Sequence, residues 1–192
     1  MNRAALLEHL LDFAGPRGPF SSDAQHELRR RAWLATQDAA ALDDLLSLLA
    51  EPPHADQRGP VSAESFELEL QDAIVALAGD PHALLQQLLP LLQLAAARPA
   101  AIELIGRLGL PDAVPPLREL LQQMPLNGDE QLRLACCLGD IGDAAAQAVL
   151  LQLQALPGAA EAGVAAEIHI ALDRCAAADR HDMPRPAGPE PP

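Results

Sequence analysis

The 192-residue sequence contains no lysine and no tyrosine, and its one tryptophan and three phenylalanines leave it only 2% aromatic. Without lysine there is neither Schiff-base chemistry nor a phosphate-loop lysine. Aromatic residues favour strands and also supply the platforms on which bases stack. Their scarcity argues against a β fold and against single-stranded nucleic-acid binding. Positive charge is short as well: thirteen Arg stand against 27 Asp and Glu, for a formal net charge of −14. A surface of that sign repels phosphate backbones and anionic lipids. The one basic cluster, Arg29 to Arg31, is spread round a helix, because successive residues step by about 100°. Cysteines number only three. Cys136 and Cys137 are adjacent and diverge on a helix, so reduced core thiols in a bacterial cytoplasm are expected. No stretch of eighteen apolar residues suggests a membrane span. The opening MNRAALLEHLLDF carries Glu8, His9 and Asp12 among its apolar residues, which is an amphipathic helix pattern and not a secretory signal.

What remains is leucine and alanine in a chain that is 49% hydrophobic. Both are strong helix formers, and the length suits a single all-α domain. Four stretches share one plan: LATQDAAALDDLLSLL from Leu34, LAGDPHALLQQLLPLL from Leu77, LGLPDAVPPLRELL from Leu108 and LGDIGDAAAQAVLLQL from Leu138. Each ends one amphipathic helix, breaks briefly at an Asp, and starts another. The aspartates are Asp38, Asp80, Asp112 and Asp143, at intervals of 42, 32 and 31. A period near thirty with two helices per repeat is the signature of a stacked array. The aspartates are expected to be N-caps, accepting from N–H groups that the first turn leaves unpaired. Gly79, Gly109 and Gly139 fall where a left-handed residue commonly stops a helix.

First helices are placed near 23–36, 63–78, 100–108 and 128–138, and second helices near 39–50, 81–97, 113–124 and 144–156. Ser22 to Gln25 and Asn127 to Glu130 read as capping boxes, and Ser62 as a cap. Helices near 2–13 and 159–177 close the ends, as terminal repeats must. Pro90 should kink the second helix in which it lies. Residues 51–62 form a longer Pro- and Gly-punctuated loop, and the Pro-rich tail 178–192 is expected to be disordered.

The segments LIGRLGLPDAVPPLRELL and LACCLGDIGDAAAQAVLLQL resemble the short HEAT-like repeats of the phycobilisome-lyase type. Leu108, Gly109, Asp112, Ala113, Val114, Pro115 and Leu117 carry the likeness, with Leu138, Gly139, Gly142 and Asp143. It covers residues 99–156 well, 63–98 moderately and 23–50 weakly. The resemblance implies a right-handed α-α superhelix over residues 1–177, of about four helical pairs with capping helices. It also implies that second helices line the concave side and first helices the convex side.

Candidate chemistry is thin. No two of the six histidines lie three to five residues apart, so no helix offers a paired metal face. His26-Glu27 is a lone His-Glu pair, whereas the di-iron hydroxylases of the HEAT class use several. Asp43-Asp44, Glu67-Glu69 and Asp129-Glu130 read as solvated helix faces, and Cys175 beside Arg174 as a packed thiol without a base. No phosphate loop, dinucleotide fingerprint, nucleophile elbow or HExxH occurs. No catalytic residue, metal or cofactor is therefore assigned.

One pattern favours binding. Polar positions of the first helices are charged, but those of the second are mostly glutamine. Glutamine donates and accepts without the desolvation cost of a charge, so such a wall suits burial against another polypeptide. Good exposed-helix propensity of Gln gives a blander account of the same pattern. Gln86, Arg118, Gln122, Gln147 and Gln152 are the candidate partner-binding residues, opposite a core face of Leu84, Leu85, Leu88, Leu117, Leu120 and Leu121. The expected function is a non-catalytic protein-interaction module: an adaptor, regulatory subunit or inhibitor. The alternatives are a bilin-lyase-type enzyme or its accessory, which would need more ordered polar and aromatic contacts, and a HEAT-like DNA-repair glycosylase, which would need a basic face.

Overall fold

A computed structural model of the chain describes residues 3–16 and 23–182; among them every regular element is helical. The chain divides into two compact units, Met1–Leu104 and Ile105–Pro192. The first contains α1 (Arg3–Ala14), α2 (Asp23–Leu34), α3 (Ala39–Ala50), the short α4 (Ala55–Arg58), α5 (Ala63–Leu77) and α6 (Pro81–Leu88). The boundary falls within α7 (Arg98–Leu108). The second unit adds α8 (Val114–Gln123), α9 (Gly128–Ile141), α10 (Ala144–Gln154) and α11 (Ala162–Asp182).

In the first unit α1, α3 and α5 pack on one another, and α2 joins α5. The reason is spacing. Leu6, Leu10 and Phe13 of α1 recur at four and three residues and are all buried, as are Leu45, Leu48 and Leu49 of α3 and Phe66, Leu70, Ala73 and Ile74 of α5. Full burial of each large side chain contributes about 1.5–3 kcal/mol. Pro90 ends α6 at Leu88, and a 3₁₀ turn covers Leu89–Gln93. The second helix expected over 81–97 is therefore half that length. Arg98, itself buried, reaches back from α7, and its Nε donates to the carbonyl of Leu92 at 2.7 Å.

In the second unit α9 packs on α11, while α10 contacts α8, α9 and α11. Two very close approaches set the spacing. A Cβ placed on Gly106 of α7 would lie 2.8 Å from Cys137 Cα of α9, and one on Gly139 of α9 would lie 2.8 Å from Ala171 Cβ of α11. The left-handed stop expected at Gly139 is instead at Gly142 (φ 70°), and Gly139 is a buried helical residue. Gly109 is left-handed as expected (φ 62°), whereas Gly79 has no positive φ.

The caps divide by local chemistry. Asp38 accepts from Ala41 N–H at 3.2 Å, Asp80 from His82 N–H at 2.9 Å and Asp143 from Ala146 N–H at 2.6 Å. Asp112 does not cap: it sits in a 3₁₀ turn, Pro111–Ala113, and the N-cap position of α8 belongs to Ala113. The second and third residues of α8 are Pro115 and Pro116, neither of which has an N–H to offer a cap side chain. Ser62 accepts from Ser65 N–H at 2.9 Å. Asn127 and Glu130 form the reciprocal box, at 2.9 and 3.0 Å. The box expected at Ser22 lies outside the described residues. So does most of the tail, although α11 continues to Asp182 and makes 178–182 helical. The 51–62 loop is tighter than expected, since α4 occupies its middle.

Asp143→Ala should therefore cost about 1 kcal/mol in urea unfolding and Asp143→Asn little, and Asp112→Ala should cost less than Asp143→Ala. Equal losses for the two alanine variants would show that Asp112 carries a cap-like load. Gly139→Val should be worse than either, by about 2–3 kcal/mol, because Ala171 leaves its side chain no room.

Candidate functional site

The candidate partner-binding residues separate by unit. Gln86 lies on α6 in the first unit and is exposed, and Leu84, Leu85 and Leu88 of the same helix are buried. In the second unit Leu117, Leu120 and Leu121 turn inward on α8, leaving Gln122 exposed and Arg118 half-buried. On α10, which packs against α8, Ala146, Val149, Leu150 and Leu153 are buried. Gln152 is exposed there and Gln147 half-buried, while Leu151, four residues on from Gln147, is 54% exposed. The solvent sides of α8 and α10 thus offer one cation, glutamines, an accessible leucine and one carboxylate, Glu119, which accepts from Gln123 Nε2 at 2.7 Å.

Arg118 is electrostatically unusual. Its Nε is buried and meets no acceptor, and among the described residues the side chain makes no hydrogen bond or ion pair. Most other described arginines are engaged. Arg3 pairs with Glu51 at 2.9 Å, Arg133 with Asp129 at 3.1 Å and Arg174 with Asp140 at 3.1 Å. An enclosed donor without an acceptor costs about 1–3 kcal/mol.

The tempting carboxylates are structural. Glu69 was expected on a solvated face, yet its side chain is only 12% exposed and receives Arg30 Nε at 2.5 Å. Burial, opposed by that hydrogen bond, holds its carboxyl above the usual range. Glu130 is buried in its capping box. Asp43 is exposed and Asp44 half-buried. His26 packs edge-on against Phe13 with ring centroids 5.6 Å apart, and its neighbour Glu27 pairs with Arg31. Trp33 and Phe13 approach to 5.4 Å, and His9 lies 5.4 Å from Trp33. This α1–α2 cluster, like the Arg30–Glu69 pair, joins residues far apart in the chain and carried no sequence signal. Among the described residues no three His, Cys, Asp or Glu side chains are grouped as metal ligands, and no helix is long and apolar enough to cross a membrane.

Two of the three thiols are buried and the third is half-buried. Cys175 is fully buried, its Sγ 3.9 Å from the carbonyl of Leu138. Burial also raises the Cys137 thiol, and burial with the Glu167 carboxylate beside it pushes Cys136 up to about 11. No protein-family model, curated protein or solved structure matches the chain.

Because the thiolate is the attacking species, Cys136 in the folded protein should react with iodoacetamide at pH 8 about 100-fold more slowly than in urea. Its rate should still be climbing at pH 10. Folded and unfolded rates within a few-fold of each other, by mass spectrometry, would show that burial and Glu167 do not raise this thiol.

Proposed function

We propose that the chain is a non-catalytic protein-interaction module, a HEAT-like solenoid that binds another protein on its second-helix face. Arg118 is the anchor of that reading. In a chain with twice as many acidic as basic residues, a half-buried arginine without a carboxylate partner among the described residues is the observation that carries it. Gln122 stands one turn beyond Arg118, and Gln147, Leu151 and Gln152 supply neutral polar and apolar contacts on α10. Gln86 is exposed on α6 of the first unit. Glu119, beside Arg118, is engaged by Gln123; the other flanking polar residues are neutral, which favours burial, and an arginine among them pairs strongly once water is excluded. The succession α8, α9, α10, α11, with α9 against α11 and α10 against α8, is the neighbour pattern that stacked helical pairs produce. The recurring caps and the period near thirty support the same reading. A cytoplasmic setting fits its three free thiols.

The test compares Arg118→Glu with Arg107→Glu, an exposed α7 position. A partner would be recovered by in-cell photo-crosslinking from position 122, and its affinity for both variants measured by calorimetry. Arg118→Glu should weaken binding by about 2 kcal/mol, or roughly 30-fold, with the helical spectrum unchanged. Equal affinities, or loss only with Arg107→Glu, would put the binding face elsewhere.

A further inference from the structure

Only two asparagines occur in the chain, Asn2 and Asn127, and the second precedes Gly128. An asparagine before glycine is open to attack by its own backbone, because no Cβ shields the glycine nitrogen. Gly128 N can bond to Cγ of Asn127 and close a five-membered succinimide. The Cγ–Nδ2 bond breaks, and Nδ2 departs as ammonia with the proton that Gly128 N gives up. Water then opens the ring. Addition at Cγ yields aspartate, whereas addition at the backbone carbonyl yields isoaspartate, whose chain runs on through Cγ. Asn127 is exposed, so water is at hand.

The start of α9 opposes the first step. Asn127 Oδ1 accepts from Glu130 N–H at 3.0 Å, and Asn127 N–H donates to Glu130 Oε2 at 2.9 Å. Side chain and backbone of the same residue are therefore both tied to the first turn. The ring closes only when the Cα–C bond of Asn127 turns until Gly128 N eclipses Cβ. That bond is held extended, at ψ 173°, and Gly128 is already the first residue of the helix. Turning it would carry the first peptide of α9 out of line and break both bonds of the box.

We propose that Asn127–Gly128 is a self-modification site controlled by the capping box of α9. The folded start suppresses deamidation, each opening of it permits the reaction, and the isoaspartyl product prevents the start from re-forming. The two products differ in that last respect. Aspartate caps a helix as well as asparagine does, and its charge suits a helix start. Isoaspartate adds a methylene to the backbone between Leu126 and Gly128, where there is no slack. Leu126 is buried, and its carbonyl accepts from Gln131 Nε2 at 2.9 Å. Gln131 is hemmed in turn, since a Cβ on Gly158 would lie 2.6 Å from that nitrogen.

The test ages the whole chain at pH 8, folded or in guanidinium chloride, and follows residues 119–133 by mass spectrometry. Trypsin releases that peptide whole, because Arg118 and Arg133 flank it and the chain has no lysine. In guanidinium it should convert to a mixture of aspartate and isoaspartate forms, told apart by electron-transfer fragmentation. Gly128→Ala should slow that conversion at least about tenfold, an effect measured where folding plays no part. The folded chain should convert at least about tenfold more slowly than the unfolded one, since the reaction must await local opening. After return to buffer, a brief trypsin pulse should cut isoaspartate chains at Arg133 before aspartate chains. The proposal is overturned if folded and unfolded chains convert at one rate, or if Gly128→Ala converts as fast as wild type in guanidinium. It is equally overturned if the two product forms are cut alike.

Discussion

A core assembled from leucine and alanine has little depth, and its helices must come close together before their side chains meet. In the second unit that requirement falls on two glycines. Gly106 brings α7 against the backbone of Cys137, and Gly139 brings α9 against Ala171 of α11. With α9 held at that distance, Leu134, Leu138, Val149, Leu150, Ile168 and Ala171 all become buried. Dispersion falls steeply with a gap of even half an ångström, so a wider spacing would forfeit much of what these small side chains contribute. The Asn127–Glu130 box and the bond from Gln131 Nε2 to the carbonyl of Leu126 (2.9 Å) then fix where α9 begins. The first unit buries larger side chains as well, Phe13, Trp33 and Phe66.

The features legible in the sequence were those written within a few residues of one another. Leucine spacing gave the helix faces, and an Asp before an alanine-rich start gave the caps at residues 38, 80 and 143. The misreadings share one cause, which is that a local signal had a competitor. Asp112 has the cap residue but is followed by two prolines that remove the donors a cap serves. Gly139 sits at the expected stop, yet α9 runs through it to Gly142 because Ala171 requires a hydrogen there more than the turn requires a left-handed residue. Glu69 follows a solvated-looking pattern, and only the fold brings Arg30, 39 residues away, to its carboxylate.

Of the candidate site, the helical positions were legible and the electrostatics were not. Arg118, Gln122 and Gln152 stand opposite the leucine face, as spacing alone dictates. That Gln147 is half-buried, or that Arg118 lacks a carboxylate, depends on how α10 meets α8. The Asn127–Gly128 pair was the reverse case, legible in the sequence as a cap. Only the fold shows that Gln131 and Gly158 leave its backbone no room to lengthen.

The distribution of cations ties these observations together. Arginine is scarce in this chain, and nearly every described one serves a specific end: Arg3, Arg31, Arg133 and Arg174 pair across or along helices, Arg30 neutralises Glu69, and Arg58 and Arg98 hold carbonyls that loops leave over. Arg29 makes no such contact but is exposed, so water satisfies it at little cost. Arg118 differs in being half-enclosed, with a buried Nε that meets no acceptor among the described residues. Acidic groups outnumber basic ones two to one, so a carboxylate within reach would have been the easiest feature for this sequence to supply. Instead the adjacent Glu119 accepts from Gln123, and Arg118 is left with a desolvated donor. Such a group gains more from an external acceptor than any solvated cation on the surface would.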